Sequence, residues 1–382
     1  MKTSPSQPPP ELLAHDGASH SHGPILAPVC EGTGDGVLFW YGATHVAVAE
    51  NSRRYRITNR MEALPLARSV TGRVIPSERL EGVHTVVSLR PYVDPVAARQ
   101  LAELRSRGIR VVADYDDLLF DCPLDDFPGT DHFLRRLRVA TRLDTYRASV
   151  QHFDAFTAST RPIAESLRAM RPEAAISVVP NQPSPAWVAR GWARYGDRAW
   201  KPGDPRIIRY LPGSPSHDRD FAVIEEALIA FLDQHPDVRL EVVGYLKFHQ
   251  RNFPRGRVRH LPKVEYERFP EVLLTTWINL VPLAPTVYSQ ARSALKLLEA
   301  AAFGVPSIAT PSIDHARTVQ LPSPICFAHS PADWLASLDA AHRATPTDIA
   351  TVRRVRVASE APAAWSSAES IGVARGLAGA SS

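Results

Sequence analysis

The chain has 382 residues, 44% of them hydrophobic, and a formal net charge of +4. That length suits two domains of ordinary size, each with its own core. The charge is mild and both signs are interspersed, so there is no basic block of the kind that grips nucleic acid, and no nucleic-acid partner is expected. No run of about 18 apolar residues is available to cross a bilayer. The first thirty residues lack the apolar stretch of a signal peptide. Cys30, Cys122 and Cys326 lie far apart without metal-ligand spacing and read as free thiols of a reducing compartment. The expectation is a cytoplasmic protein, soluble or held peripherally at the inner face of a membrane.

Residues 1–30, rich in Pro, Ser and His, are expected to be a disordered tail. A first Rossmann-like domain is expected over 31–181. VLFWYG (37–42) is its first buried strand, and no G-x-G-x-x-G follows, which speaks against an NAD-type half. Arg53, Arg54, Tyr55 and Arg56 form either a grip for an anionic or lipid-phosphate acceptor or a solvated basic helix face. TVVSLRP (85–91) is a second strand, followed by a helix over Pro95–Gly108 with Val96, Leu101 and Leu104 inward. IRVVADYDDLLFD (109–121) opens as a buried strand and ends in Asp114, Asp116 and Asp117. The carboxyl end of a strand faces the ligand crevice in an open α/β sheet. These acids either bind a metal or supply a base, or else Asp117 caps a turn and Asp114 pairs with an Arg. Residues 131–150 read as a helix with an apolar stripe and several Arg, lying on an anionic membrane surface or simply exposed. AFTAS (155–159), a helix over Arg161–Met170 and ISVVPN (176–181) complete the domain.

Residues 182–205 read as a linker with a short helix around Trp187–Arg194. A second Rossmann-like domain is expected over 206–350. RIIRYLPG (206–213) is its first strand and runs into Gly213-Ser214, a small turn whose backbone N–H groups can approach a phosphate. The next helix carries Phe221, Ile224, Leu228, Phe231 and Leu232 on one side, with Asp218 or Asp220 as N-cap. Strands at 238–245, ending in Gly244, and 257–264 follow, then a short helix over Tyr266–Thr275 and a strand at 278–285. After a strand at 305–310, 312–324 reads as irregular, and a helix over Pro331–Ala341 turns Trp334, Leu335 and Leu338 inward. Residues 351–382 are expected to cross back to the first domain, anchored by Trp365.

The most informative stretch is 289–310, SQARSALKLLEAAAFGVPSIAT. It predicts a helix from near Ser293 to Gly304, with Leu295, Leu298 and Ala302 as the buried stripe. Ser293, Lys296 and Glu299 recur every three residues and share another face. The flanking strands make this helix a crossover in a parallel sheet, so its N-terminus sits at a strand's carboxyl end, where anions bind. A hydroxyl and a Lys suit a diphosphate, and a carboxylate one turn on suits the two hydroxyls of a ribose. The alternative is a solvated i, i+3 pair on a surface helix. Only five of the 44 basic residues are Lys, which makes Lys296 a departure from the chain's default.

The segment resembles the donor-site helix of GT-B glycosyltransferases of the group-one, family-four kind. Glu299, Ala300, Ala302, Gly304 and Pro306 match the second half of that family's Glu-x7-Glu motif; Ala291 stands where the first Glu falls. The Ser-x-x-Lys-x-x-Glu spelling, and GSPSHDRDF (213–221), resemble one of its subgroups. The resemblance implies two doubly wound α/β domains facing across a cleft, with no cofactor and no bound metal. It implies a nucleotide diphosphate sugar as donor, held by Gly213, Ser214, His217, Ser293, Lys296 and Glu299, with His217 either a donor contact or a structural hydrogen bonder. The base would be held by backbone groups around Pro262–Tyr266. Asp116 and Asp117 become the catalytic candidates, and Arg54, Tyr55 and Arg56 face a glycan or lipid-linked acceptor. The implied reaction is sugar transfer with retention. The alternatives are a nucleotide-sugar-binding partner subunit without turnover and a nucleotide-sugar epimerase of the same architecture.

Overall fold

The computed structural model describes residues 35–42, 50–64, 66–128, 130, 133–213, 217–316, 318 and 325–344. The expected tail at 1–30, Ser214 and the expected returning segment at 351–382 lie outside them. Two six-stranded sheets carry the described chain, and all their pairings are parallel. Parallel strands need crossovers that cover both faces, which is why central strands such as Thr85–Leu89, Arg110–Tyr115 and Ile278–Val281 are buried along nearly their whole length rather than at alternate residues.

The first sheet starts with β1 (Val37–Tyr41). A helical segment, 50–63, follows: α1 (Glu50–Arg53) and α2 (Asn59–Ala63), joined by a π-helical turn at Arg54–Thr58. Then come β2 (Arg68–Thr71), β3 (Thr85–Leu89), α3 (Pro95–Ser106), β4 (Arg110–Tyr115), α4 (Phe133–Val150), β5 (Ala155–Ala158), α5 (Arg161–Met170) and β6 (Ala175–Val178). The strand order is β2-β1-β3-β4-β5-β6, so the direction of winding reverses between β1 and β3.

Next, α6 (Pro185–Tyr195) leads to the second sheet. Its chain runs β7 (Arg206–Tyr210), α7 (Asp218–Ala222), α8 (Glu225–Gln234), β8 (Val238–Val243), β9 (Val258–Leu261), α9 (Phe269–Leu274) and β10 (Ile278–Val281). It continues through α10 (Val287–Gln290), α11 (Leu295–Ala302), β11 (Ser307–Ala309), α12 (Ile313–Ala316), β12 (Ile325–Phe327) and α13 (Pro331–Arg343). The order β12-β11-β10-β7-β8-β9 is that of the dinucleotide-binding fold, reversing between β7 and β10. The expected pair of doubly wound sheets is therefore present.

The short helix expected around Trp187–Arg194 is α6, and two other expectations need correction. Helix α6 packs on the second sheet's helices through Trp187 and Tyr195. A Cβ on Gly191 would lie 2.7 Å from Pro270 and 2.8 Å from Phe303, so the helix can come this close only with glycine there. A short helix, α12, forms where irregular chain was expected. In α11 Leu298 is buried as expected, but burial runs continuously from Leu297 to Ala301 while Leu295 and Ala302 are only half-buried. The helix is covered on more than one side, and a single-stripe reading fails for such a helix.

Candidate active site

Both winding reversals point their strands' carboxyl ends into one cleft. A cavity of about 340 Å³ sits there, and both sheets line it. From β7 and β10 come Leu211 to Gly213 and Val281 to Leu283. Gly244, at the end of β8, has φ +129°, and a Cβ there would lie 2.1 Å from the Pro212 carbonyl oxygen. The bare backbone at 244 thus lets the Pro212-Gly213 turn pass.

The second sheet's wall is built by α11. Its C-terminus closes with Gly304 at φ 66°, Gly304 N–H donating to Ala301 O and Val305 N–H to Ala300 O. This paired left-handed ending fixes the helix register. Its start lies at Leu295, two residues later than expected, and Asp314 takes the Ala294 N–H at 2.6 Å. Ser293, Lys296 and Glu299 nonetheless all reach the cavity, as does Arg292.

Asp220 organises this wall. It lies inside α7 rather than at its cap. Its Oδ1 accepts from the Ala284 N–H (2.9 Å) and from Ser289 Oγ (3.2 Å). Its Oδ2 accepts from Arg292 Nη1 (2.8 Å) and faces His217 Nδ1 at 2.9 Å. Burial pushes the carboxyl up, but His217 and Arg292 outweigh it and hold Asp220 down to about 2. His217 is itself kept well below its ordinary value by burial, Lys296 and Arg292, so it is neutral. It is both tied into this network and on the cavity wall. Lys296 Nζ lies 3.5 Å from His217 Nε2, and burial together with Arg292 pushes it down to about 7. Burial pushes Glu299 up to about 7, against Tyr55, Lys296 and Arg54. Ser293 Oγ accepts from Asn181 Nδ2 at 3.3 Å.

On the first sheet's wall, Arg90 follows β3 with φ 45°, a left-handed conformation rare for a side-chain-bearing residue. Its guanidinium donates to Asp116 and, at 2.5 Å, to Asp117. All three line the cavity. Burial pushes Asp117 up, against Arg90.

Asp114 does not share this site. It is 1% exposed and accepts from Arg56 Nε (2.9 Å), Arg56 Nη2 (2.5 Å) and Thr157 Oγ1 (2.5 Å). Of its two readings, the pairing with an Arg is the one found. The same contacts correct the acceptor-side reading of Arg56, which is 0% exposed and tied to Asp114, Val179 O and Asn181. Arg54 and Tyr55 do reach the cavity, Arg54 lying over the Tyr266 ring at 4.0 Å. Far from the cleft, His235, Asp237 and His342 draw together, but Arg206 already neutralises Asp237 at 2.8 Å.

Residues 219–367 match a family model described as glycosyl transferase-like. The second half of the chain therefore carries a glycosyltransferase-like domain. No curated protein matches the chain by sequence. Among solved structures, α,α-trehalose 6-phosphate synthase from Burkholderia multivorans is similar, with TM-score 0.53 and 11% identity, covering 89% of this chain and 94% of that one. Sucrose-phosphate synthase from Thermosynechococcus elongatus gives TM-score 0.52 at 15% identity, covering 90% and 94%. HepE from Anabaena, solved in complex with UDP and glucose, gives TM-score 0.51 at 13% identity, covering 84% and 94%. These likenesses establish the shared GT-B fold.

Sequence reasoning missed Arg90, Arg292 and the central place of Asp220. Arg292 directly precedes the Ser-x-x-Lys-x-x-Glu run, but in an Arg-rich chain it did not stand out. Arg90, in the S-L-R-P at the end of β3, was legible only as a residue at a strand's carboxyl end.

Proposed function

We propose that the chain transfers a sugar from a nucleotide diphosphate sugar to a hydroxyl of a glycan or lipid-linked glycan. The observation that carries this reading is α11 with the turn before it, which bring Lys296 and Glu299, and Arg292, to the cavity at the β7/β10 reversal. The two cations receive the diphosphate and Glu299 receives the ribose diol. When the bond from the anomeric carbon to the diphosphate breaks, the leaving group carries away the electron pair, and Arg292 and Lys296 stabilise that charge. No metal is needed for this, and retention at the anomeric carbon is proposed on the family resemblance. Asp117, held by Arg90 on the facing wall and more exposed than Asp116, takes the acceptor's proton. The acceptor approaches past Arg54, and α4 gives a membrane-facing surface for a lipid-linked one.

HepE's complex with UDP makes UDP the first nucleotide to test. The experiment is a thermal-shift series with UDP, GDP, ADP, CMP and dTDP on the wild type and Glu299→Ala. A ligand that binds only the folded state raises its stability. One nucleotide should raise the melting temperature, and Glu299→Ala should lose that shift. Transfer should then continue in EDTA; loss of turnover there would sink the metal-free reading. A second reading, binding without turnover, is favoured by Ala291, which is 2% exposed and offers no acid where the family has one. Nucleotide binding without transfer to any added acceptor would move it to the front.

A further inference from the structure

Glu299 is met from the opposite sheet. The Tyr55 hydroxyl donates to Glu299 Oε1 at 2.5 Å, joining positions 244 apart in sequence. Nothing about this contact is loose. Tyr55 sits on the π-helical turn, and its neighbour Arg56 is locked into the core by Asp114. On this turn Arg56 points to the core and Tyr55 to the cleft. The Tyr55 ring meets Tyr266 edge-on at 6.3 Å, and Tyr266 stacks on Trp187 at 4.6 Å. With Tyr55 in place, Glu299 is only 4% exposed.

A phenol and a ribose hydroxyl are the same kind of donor to a carboxylate. A ribose diol brings two donors to one carboxylate, and here Tyr55 already donates to Oε1 of a Glu299 that is buried beside it. We propose that Tyr55 is an internal competitor for the ribose site: donor binding exchanges the Tyr55 hydroxyl for ribose hydroxyls and releases segment 50–63 from the second sheet. The inference rests on Glu299 being the ribose ligand. It makes apparent donor affinity depend on how often the contact is open. If the contact is closed nine-tenths of the time, the apparent dissociation constant is raised about tenfold.

The test is calorimetric titration of UDP into the wild type, Tyr55→Phe, Glu299→Ala and the double variant, with hydrogen exchange of segment 50–63 in the wild type. Tyr55→Phe keeps the ring against Tyr266 and should bind UDP about tenfold more tightly. In the Glu299→Ala background the same change should give no gain. UDP should speed exchange across 50–63. Equal or weaker binding by Tyr55→Phe, with Glu299→Ala still weakened, overturns the competition and leaves the donor site standing. UDP that slows exchange of 50–63, or leaves it unchanged, also overturns it. Wild-type affinity in Glu299→Ala would instead bring down the ribose reading beneath it.

Discussion

At the residue scale, the wall proposed to hold the donor is a set of charges placed against their ordinary preferences. Lys296 and Glu299 are both shifted to about 7, from opposite directions. Lys296 carries its charge below about 7 and loses it above; Glu299 is ionised above about 7 and neutral below. Diphosphate needs the first and the diol needs the second. Affinity for a nucleotide sugar, whose diphosphate does not titrate in this range, should therefore peak near neutrality and fall on both sides. Calorimetry across the neutral range checks this, and a flat profile would refute it. Asp220 is 2% exposed and gathers four partners, so Asp220→Ala leaves Arg292 buried without its acid. We expect a loss of about 3–5 kcal/mol in urea unfolding. The folded carboxyl lies below its ordinary value, so its contribution is full above that value and disappears as pH falls through about 2. Lys296 and Glu299 were legible because three-residue spacing survives any small shift of helix start. Asp220 was read as a cap because local sequence cannot show a long-range acceptor role. Arg56 was read as outward because a π-helical turn breaks the 3.6-residue phase by which faces are assigned.

At the element scale, the long strands and helices were legible because apolar runs and Pro or Gly punctuation mark them. The helix Arg161–Met170 was read with its observed bounds. The edge strands β2 and β12 were not foreseen, being four and three residues long and only partly buried. Such strands owe their existence to a neighbour's hydrogen bonds rather than to their own pattern. Helix α4 leaves Phe133 75%, Leu134 56% and Leu137 58% exposed, with Arg135 and Arg138 beside them and exposed as well. Apolar side chains rimmed by Arg suit an anionic bilayer surface. Sedimentation with vesicles containing anionic lipid should pull the protein down, and a Phe133→Ser, Leu134→Ser, Leu137→Ser variant should stay in the supernatant. Equal pelleting of both would remove α4 from any membrane role.

At the scale of the whole molecule, the proposed function divides the labour between the two sheets. On that reading donor-binding groups come from the second sheet and the Arg90-Asp116-Asp117 group from the first, so the two functions should separate under mutation. Asp117→Asn leaves Asp116 to hold Arg90 and should lower kcat about a hundredfold while UDP affinity stays unchanged. A parallel loss of UDP affinity would contradict the division. Two further contacts between the sheets lie just before α11: Thr160 Oγ1 to Ala291 O at 2.8 Å and Asn181 Nδ2 to Ser293 Oγ at 3.3 Å. Glu299, gripped by Tyr55, is six residues beyond Ser293, about 9 Å along a helix axis. Further contacts cross elsewhere, among them Arg219 to Asp125 O and Val287 N–H to Asp126 Oδ2 at 2.8 Å. On the proposed reading, Thr160 and Asn181 therefore tie the two sheets together at the diphosphate end of the donor, while Tyr55 ties them at the ribose end through a single exchangeable hydroxyl. Opening the Tyr55 contact alone would free the nucleoside end of the cleft and leave the ties at the phosphate end in place.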